Sequence, residues 1–144
     1  MRICIGSDHA GFELKSHIFE YLADKGYDII DVGTFDTAST DYPVWADKVC
    51  DAVLDKSADF GILICGTGIG MSIAANKRQG ILCALVNDIY SARLSKQHNN
   101  ANVIAIGARV VGIGMAEAIV DAYMSAEFET RHQKRLDMLA DGQA

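Results

Sequence analysis

Proline is almost absent from this sequence, which has one proline in 144 residues and no segment of low complexity. Linkers and disordered regions are usually rich in proline or in a few repeated residue types. The remaining composition, 50% hydrophobic and 22% charged, is that of an ordinary globular protein. We therefore expect residues 1–144 to form a single domain with its own core.

The sequence also lacks long apolar runs, C-x-x-C pairs and an excess of basic residues. A membrane-spanning helix needs about 20 apolar residues, and the first residues, MRICIGSDHAG, do not resemble a secretory signal. The spacing of the four cysteines suits neither a zinc site nor a disulfide framework. Free thiols are typical of a reducing compartment, so we expect a cytoplasmic protein without a membrane partner, a metal or a cofactor. The cysteines are Cys4, Cys50, Cys65 and Cys83.

The formal net charge is −6. An acidic protein is a poor non-specific partner for nucleic acid, because binding to phosphate backbones requires a basic surface. A small anionic substrate remains compatible with this charge, since the local field in a cleft outweighs the net charge.

Residues 60–77, FGILICGTGIGMSIAANK, are the most informative stretch. An apolar strand leads through Cys65 and the loop 66–70 into a helical pattern. Glycines let the backbone come close to a ligand, and a helix start presents unpaired N–H groups to an anion. Such a turn can stabilise negative charge that forms during a reaction, although its glycines could also serve packing and the thiol could be a small buried hydrophobe.

Apolar runs and helical patterns alternate along the whole chain. Near-continuous apolar runs are typical of parallel strands that are buried on both faces. The alternation predicts an α/β fold, a Rossmann-like three-layer sandwich in which helices cover both faces of a five-stranded parallel sheet. The predicted strands are residues 2–6, 28–32, 60–64, 81–86 and 102–106, and the last helix is predicted at about 128–141.

Open α/β sheets bind ligands beyond the carboxyl ends of their strands. Asp8, His9, Tyr42, the 65–70 turn and Arg109 all follow strands and should converge on that edge. His98 precedes the fifth strand and should lie at the opposite edge. If His98 takes part in the same site, a second subunit must supply it, which predicts a homodimer with a shared site.

Several short motifs, read together, resemble the type B ribose-5-phosphate isomerases. The wider family includes galactose-6-phosphate isomerase subunits and allose-6-phosphate isomerases. The resemblance covers essentially the whole chain, and the combination of the Asp-His turn with the cysteine and its glycine loop is specific. The motifs are SDHAGF at 7–12, TDYP at 40–43, ILICGTGIGMSIAANK at 62–77, SKQHN at 95–99, GARVVG at 107–112 and RHQKR at 131–135.

The resemblance implies a cofactor-independent aldose–ketose isomerase that acts through an enediolate. Cys65 would move a proton between C1 and C2, Thr67 would assist proton traffic between the oxygens, and His98 would open the sugar ring. The remaining residues would bind substrate. Asp8 and Tyr42 would line the site of the sugar ring, and His9, Arg131 and Arg135 would hold the phosphate. Asn99 and Arg109 would also contact the substrate, and the enediolate would be stabilised by the backbone N–H groups of Gly66, Thr67, Gly68, Ile69 and Gly70.

One subgroup of the family replaces this cysteine and carries a glutamate directly after the glycine loop. Here that position is Met71, so the chain resembles the cysteine-dependent type. Family dimers take the equivalent of His98 from the partner subunit, which agrees with the topological argument. The resemblance leaves open whether the assembly is a dimer or a tetramer.

Other interpretations of the residues remain open. From local sequence alone, His98 could be a surface histidine and Tyr42 could be a packing residue. The Arg131–Arg135 pair could lie on a solvated basic helix. We predict that His17 and His132 are solvated. The enzyme could act on allose or galactose 6-phosphate instead of ribose 5-phosphate. A non-catalytic small-ligand or nucleotide-binding module would fit the fold but would not need Cys65 or His98, and a phospho-receiver domain would need more acidic residues than Asp8.

Overall fold

Five parallel strands form one sheet in the computed structural model, which describes residues 1–142. Their order across the sheet is β2-β1-β3-β5-β4, and every pair is parallel. The predicted Rossmann-like α/β class is therefore confirmed. The strands are β1 (Arg2–Ser7), β2 (Asp28–Gly33), β3 (Phe60–Cys65), β4 (Cys83–Leu85) and β5 (Val103–Gly107).

Six α-helices connect and follow the strands in the described part of the chain. Two short 3-10 turns, His9–Gly11 and Thr130–His132, precede α1 and α6. The helices are α1 (Phe12–Asp24), α2 (Tyr42–Leu54), α3 (Ile69–Asn76), α4 (Ile89–Gln97), α5 (Ile113–Ser125) and α6 (Gln133–Gly142).

The central strands are buried on both faces, as their continuous apolar sequences predict. Side chains alternate along β3, so that Ile62 and Ile64 pack in the core formed with α1, α4 and α5. Leu63 and Cys65 belong to the second core, formed with α2 and α3. Helices thus cover both faces of the sheet, in three layers.

Some element boundaries differ from the sequence prediction. Strand β4 is shorter than predicted and spans only Cys83–Leu85. The side chain of Asn76 forms hydrogen bonds with the backbone N–H and carbonyl of Cys83, at 2.8 and 2.9 Å. The last helix begins at Gln133 and not near residue 128. Upstream of it, the backbone N–H of Glu129 donates to the carbonyl of Gln97 at 2.9 Å, which ties this segment to the end of α4.

The chain path creates a crevice between two central strands. After β1 the chain adds β2 on one side and then crosses to place β3 on the other side of β1. The helices that follow these strands diverge to opposite faces, and ligands bind at such switch points beyond the carboxyl ends. No helix within residues 1–142 has both the length and the hydrophobicity that a membrane span requires.

Candidate active site

The glycine turn lies at the switch point and is shorter than its sequence suggested. Strand β3 ends at Cys65 and α3 begins at Ile69, so Gly70 belongs to the first turn of the helix. Gly68 has a φ of +81°, and a Cβ there would lie 2.5 Å from Cδ1 of Leu85. A left-handed backbone with no room for a side chain requires glycine.

The sulfur of Cys65 receives a hydrogen bond inside this turn. The backbone N–H of Gly68 donates to Sγ at 3.2 Å, and the N–H of Ile69 donates to Oγ1 of Thr67 at 3.2 Å. For the N–H groups of Thr67 and Gly70, no protein acceptor is found among the described residues. The turn therefore combines a thiol with backbone donors that remain available to a bound oxyanion.

The other three cysteines have raised pKa values. Burial raises the pKa of Cys4 to about 12, of Cys50 to about 11 and of Cys83 to about 12. A buried thiol with a raised pKa stays protonated and inert. Cys65 is also buried, but it stands at the edge of the sheet beside the start of α3, next to a backbone N–H that donates to its sulfur.

Asp8 and His9 follow β1, the strand next to β3. The backbone N–H of Asp8 donates to the carbonyl of Ile64 at 3.3 Å, and Oδ1 of Asp8 accepts from the N–H of Gly11 at 3.1 Å. The backbone N–H of Thr40 donates to Nδ1 of His9 at 3.2 Å. Nδ1 also lies 3.3 Å from the carbonyl oxygen of Thr40, so Thr40 positions the imidazole ring through its backbone.

Tyr42 and Arg109 flank the glycine turn. A Cβ on Gly70 would lie 2.7 Å from Cζ of Tyr42, and a Cβ on Gly66 would lie 3.3 Å from Nη1 of Arg109. The backbone N–H of Arg109 also donates to the carbonyl of Gly66 at 2.9 Å. These two glycines let an aromatic ring and a guanidinium approach the turn closely, so one edge holds the predicted residues from Asp8 to Gly70 together with Arg109.

A second cluster forms around His98 at the end of α4. The rings of His98 and His132 lie 4.4 Å apart between centroids, and Oε1 of Glu129 is 3.9 Å from Nε2 of His98. Arg131 donates from Nη2 to Oε1 of Glu129 at 3.1 Å. Arg135 donates from Nη1 to Nδ1 of His132 at 3.3 Å.

His132 is not solvated, contrary to the sequence prediction. It is 6% exposed, and its Nε2 is buried without a hydrogen-bond partner in the described residues. Burial, followed by the positive charges of neighbouring groups led by Arg131, lowers the pKa of His132. Neither His132 nor Glu129 was selected from the sequence, and the only available signal was the position of His132 between the two arginines of RHQKR.

Within one chain the two groups of residues lie at opposite edges of the sheet. Cys65 pairs with Gly107 at the carboxyl end of β5, whereas Val103 at its amino end pairs with Gly61. His98 precedes Val103 in the chain, as does Asn99, which lines a groove with Cys83 and Leu136. The predicted phosphate residues are divided in the same way, with His9 at one edge and Arg131 and Arg135 at the other.

Comparison with protein families and solved structures identifies the family of this chain. Residues 3–139 match the family model described as Ribose/Galactose Isomerase. Ribose-5-phosphate isomerase B of Escherichia coli is 49% identical over 139 residues, which cover 96% of this chain and 93% of that protein. A galactose-6-phosphate isomerase subunit of Clostridium acetobutylicum is 45% identical over 129 residues, which cover 90% of this chain and 75% of that protein.

Two solved structures are similar over nearly their full length. Ribose-5-phosphate isomerase B from Clostridium thermocellum has a TM-score of 0.97 and 47% identity, covering 99% of this chain and 97% of that one. Ribose-5-phosphate isomerase B from Mycoplasma genitalium with bound ribulose-5-phosphate has a TM-score of 0.94 and 43% identity, and the match covers 99% of this chain and 95% of that one. The resemblance predicted from the sequence motifs is confirmed. The chain belongs to the Ribose/Galactose Isomerase family, as a relative of the type B ribose-5-phosphate isomerases.

Proposed function

We propose that the chain interconverts ribose 5-phosphate and ribulose 5-phosphate without a cofactor, through an enediolate. The observation that carries the proposal is the position of Cys65 at the switch point, with the N–H of Gly68 donating to its sulfur. The names of its relatives support a five-carbon substrate, since those from E. coli and C. thermocellum are ribose-5-phosphate isomerases B.

Cys65 acts as the base in this proposal. Its thiolate takes the proton from C2 of the open-chain aldose, and the electron pair of that bond forms the C1–C2 double bond of the enediolate while charge moves to O1. The thiol then returns the proton to C1, which gives the ketose. Backbone N–H groups of residues 66–70 stabilise the oxyanion, and the hydroxyl of Thr67 exchanges a proton between O1 and O2.

His98 opens the furanose ring in the same proposal, because imidazole both donates and accepts protons near neutral pH. Asp8 and Tyr42 line the ring site, and Asn99 and Arg109 contact the substrate. His9, Arg131 and Arg135 bind the phosphate, for which the arginine fork can supply two parallel hydrogen bonds.

From the division of these residues between two edges we infer a homodimer. We expect the Cys65 edge of one subunit to face the His98 of the partner subunit, which completes the site. Exposed apolar side chains beside the glycine turn support an interface there, since Ile69, Ile73 and Leu85 are 51%, 53% and 39% exposed. Ile69 and Ile73 are one helical turn apart and so share a face of α3. Light scattering after size exclusion tests the assembly, and a monomer at working concentration would contradict a shared site.

The reaction is tested by proton NMR of ribose 5-phosphate in D₂O with the wild-type chain and with Cys65→Ala. We expect ribulose 5-phosphate only with the wild type. Conversion by both would refute the assignment of the base, and conversion by neither would refute the substrate.

A six-carbon sugar phosphate is the second candidate. It is supported by the 45% identity to a galactose-6-phosphate isomerase subunit. The same NMR assay with allose 6-phosphate and galactose 6-phosphate discriminates between the candidates, by comparing kcat/KM for the three sugars. If none reacts, the chain is better described as a binding module, and Cys65→Ala should then leave its affinity for sugar phosphates unchanged.

A further inference from the structure

Three potential metal ligands converge at the amino edge of the sheet. One ring nitrogen of His98, one carboxylate oxygen of Glu129 and one ring nitrogen of His132 all lie within 4.8 Å of one another. Two imidazoles and a carboxylate are a donor set that zinc and similar divalent transition metals prefer. Donor atoms around one tetrahedral zinc ion lie about 3.4 Å apart, so the side chains would draw closer together on coordination.

The backbone fixes the relative positions of these ligands. The N–H of His98 donates to the carbonyl of Leu94 at 2.8 Å, which holds His98 at the end of α4. The N–H of Glu129 donates to the carbonyl of Gln97, and the N–H of His132 donates to the carbonyl of Glu129 at 3.0 Å. A hydrogen bond therefore joins the end of α4 to the segment that carries Glu129 and His132, at the point where the three side chains converge.

An independent observation points to a ligand at this cluster. Nε2 of His132 is buried and has no hydrogen-bond partner in residues 1–142, although His132 is only 6% exposed. A buried polar atom without a partner is costly. A metal ion would satisfy this nitrogen once its proton has left.

We propose that His98, Glu129 and His132 form a site for a zinc-class divalent cation, with water completing the coordination. The bound ion inhibits the isomerase, because it occupies the imidazole that opens the ring. The inhibition rests on the proposed role of His98, whereas the binding rests on the geometry alone.

The neighbouring arginines compete with the ion. Arg135 can only donate, so its 3.3 Å contact with Nδ1 of His132 places the proton of the neutral ring on Nε2. An ion bound at Nδ1 would displace Arg135 directly. An ion bound at Nε2 would move the ring proton to Nδ1, and that N–H would then repel the guanidinium of Arg135. Arg131 engages only Oε1 of Glu129, which leaves the second oxygen free. Removing Arg135 should therefore tighten metal binding.

Cobalt(II) titration of the full chain tests the site, because its visible d–d bands report coordination by nitrogen and oxygen independently of activity. The titration uses the Cys65→Ala background, which removes a competing thiolate. We expect one ion per chain, at least about tenfold weaker binding in His132→Gln and in Glu129→Gln, and several-fold tighter binding in Arg135→Met. Mg²⁺ should not displace the cobalt, since it prefers oxygen ligands.

Three results would overturn the proposal. They are the absence of the d–d bands at millimolar cobalt, equal affinity in a folded His132→Gln or Glu129→Gln variant, and weaker binding in Arg135→Met. With the wild type, Zn²⁺ should inhibit the conversion of ribose 5-phosphate, and EDTA should reverse the inhibition. Metal binding without inhibition would refute the link to ring opening by His98. A metal-free wild type that fails to isomerise any sugar phosphate would refute the proposed function, while the cobalt spectrum would still decide the metal site.

Discussion

The backbone N–H of Gly68 donates a hydrogen bond to Sγ of Cys65 at a distance of 3.2 Å, across the turn that joins β3 to α3. This hydrogen bond holds the sulfur at the carboxyl edge of the sheet, beside the start of α3. The same turn presents the N–H groups of Thr67 and Gly70, for which no protein acceptor is found in the described part of the chain. One short segment therefore combines the proposed base with backbone donors that the proposed enediolate would use.

Replacing Cys65 by alanine should abolish proton transfer while leaving sugar-phosphate binding nearly unchanged. The loss in kcat should be about 10²–10⁴-fold, the usual contribution of a positioned base. Steady-state kinetics and calorimetric binding of ribose 5-phosphate measure the two effects. Cys83→Ala is the matched control, because burial keeps that thiol protonated, and it should retain activity. Equal losses in both variants would indicate a structural effect and not a catalytic one.

His98→Asn should separate ring opening from proton transfer. The ketose ribulose 5-phosphate is already open-chain, so exchange of its C1 proton with solvent requires Cys65 but not His98. We expect the variant to retain this exchange in D₂O while its conversion of cyclic ribose 5-phosphate falls by about 10²-fold or more. NMR follows both reactions in one tube. Loss of the C1 exchange in His98→Asn would contradict a role confined to ring opening.

Mixing inactive subunits tests the shared site directly. If the site is shared as proposed, a dimer of one Cys65→Ala chain and one His98→Asn chain has one site with both mutations and one site with neither. After subunit exchange, statistical mixing should restore about a quarter of the wild-type activity. Native mass spectrometry confirms that mixed dimers have formed. Mixed dimers without activity would mean that each chain carries its own complete site.

The local sequence predicted the glycine turn well, because a buried strand, a set of glycines and a helical pattern follow one another within 18 residues. It could not predict that Tyr42 would pack on Gly70, since this contact depends on how α2 lies beside α3. The cluster of His98, Glu129 and His132 was also missed. His98 is 31 residues before Glu129 in the sequence, and a backbone hydrogen bond from Glu129 to Gln97 brings the two segments together.

Gly68→Ala should destabilise the chain and damage the site. A φ of +81° is unfavourable for alanine, and its Cβ would lie 2.5 Å from Leu85 and 3.1 Å from the carbonyl carbon of Ile106. We expect the free energy of unfolding to fall by about 1–3 kcal/mol, measured by urea denaturation, with a lower kcat. Gly114→Ala in α5 is the control, because its Cβ would meet nothing within 4 Å. Equal stability of the two variants would contradict the argument from backbone strain.

His132 should make the stability of the protein depend on pH in the mildly acidic range. Burial, then Arg131 and the other nearby positive groups, lowers the pKa of His132 in the folded state, so the unfolded chain binds its proton at higher pH. Between that folded pKa and the unfolded value of about 6.5, unfolding takes up a proton, and the free energy of unfolding falls as the pH falls. The glutamine of His132→Gln does not titrate, so the free energy of unfolding of this variant should change less with pH in that range. Urea denaturation of both proteins between pH 7.5 and about pH 5 measures the difference, and parallel curves would contradict a buried neutral His132.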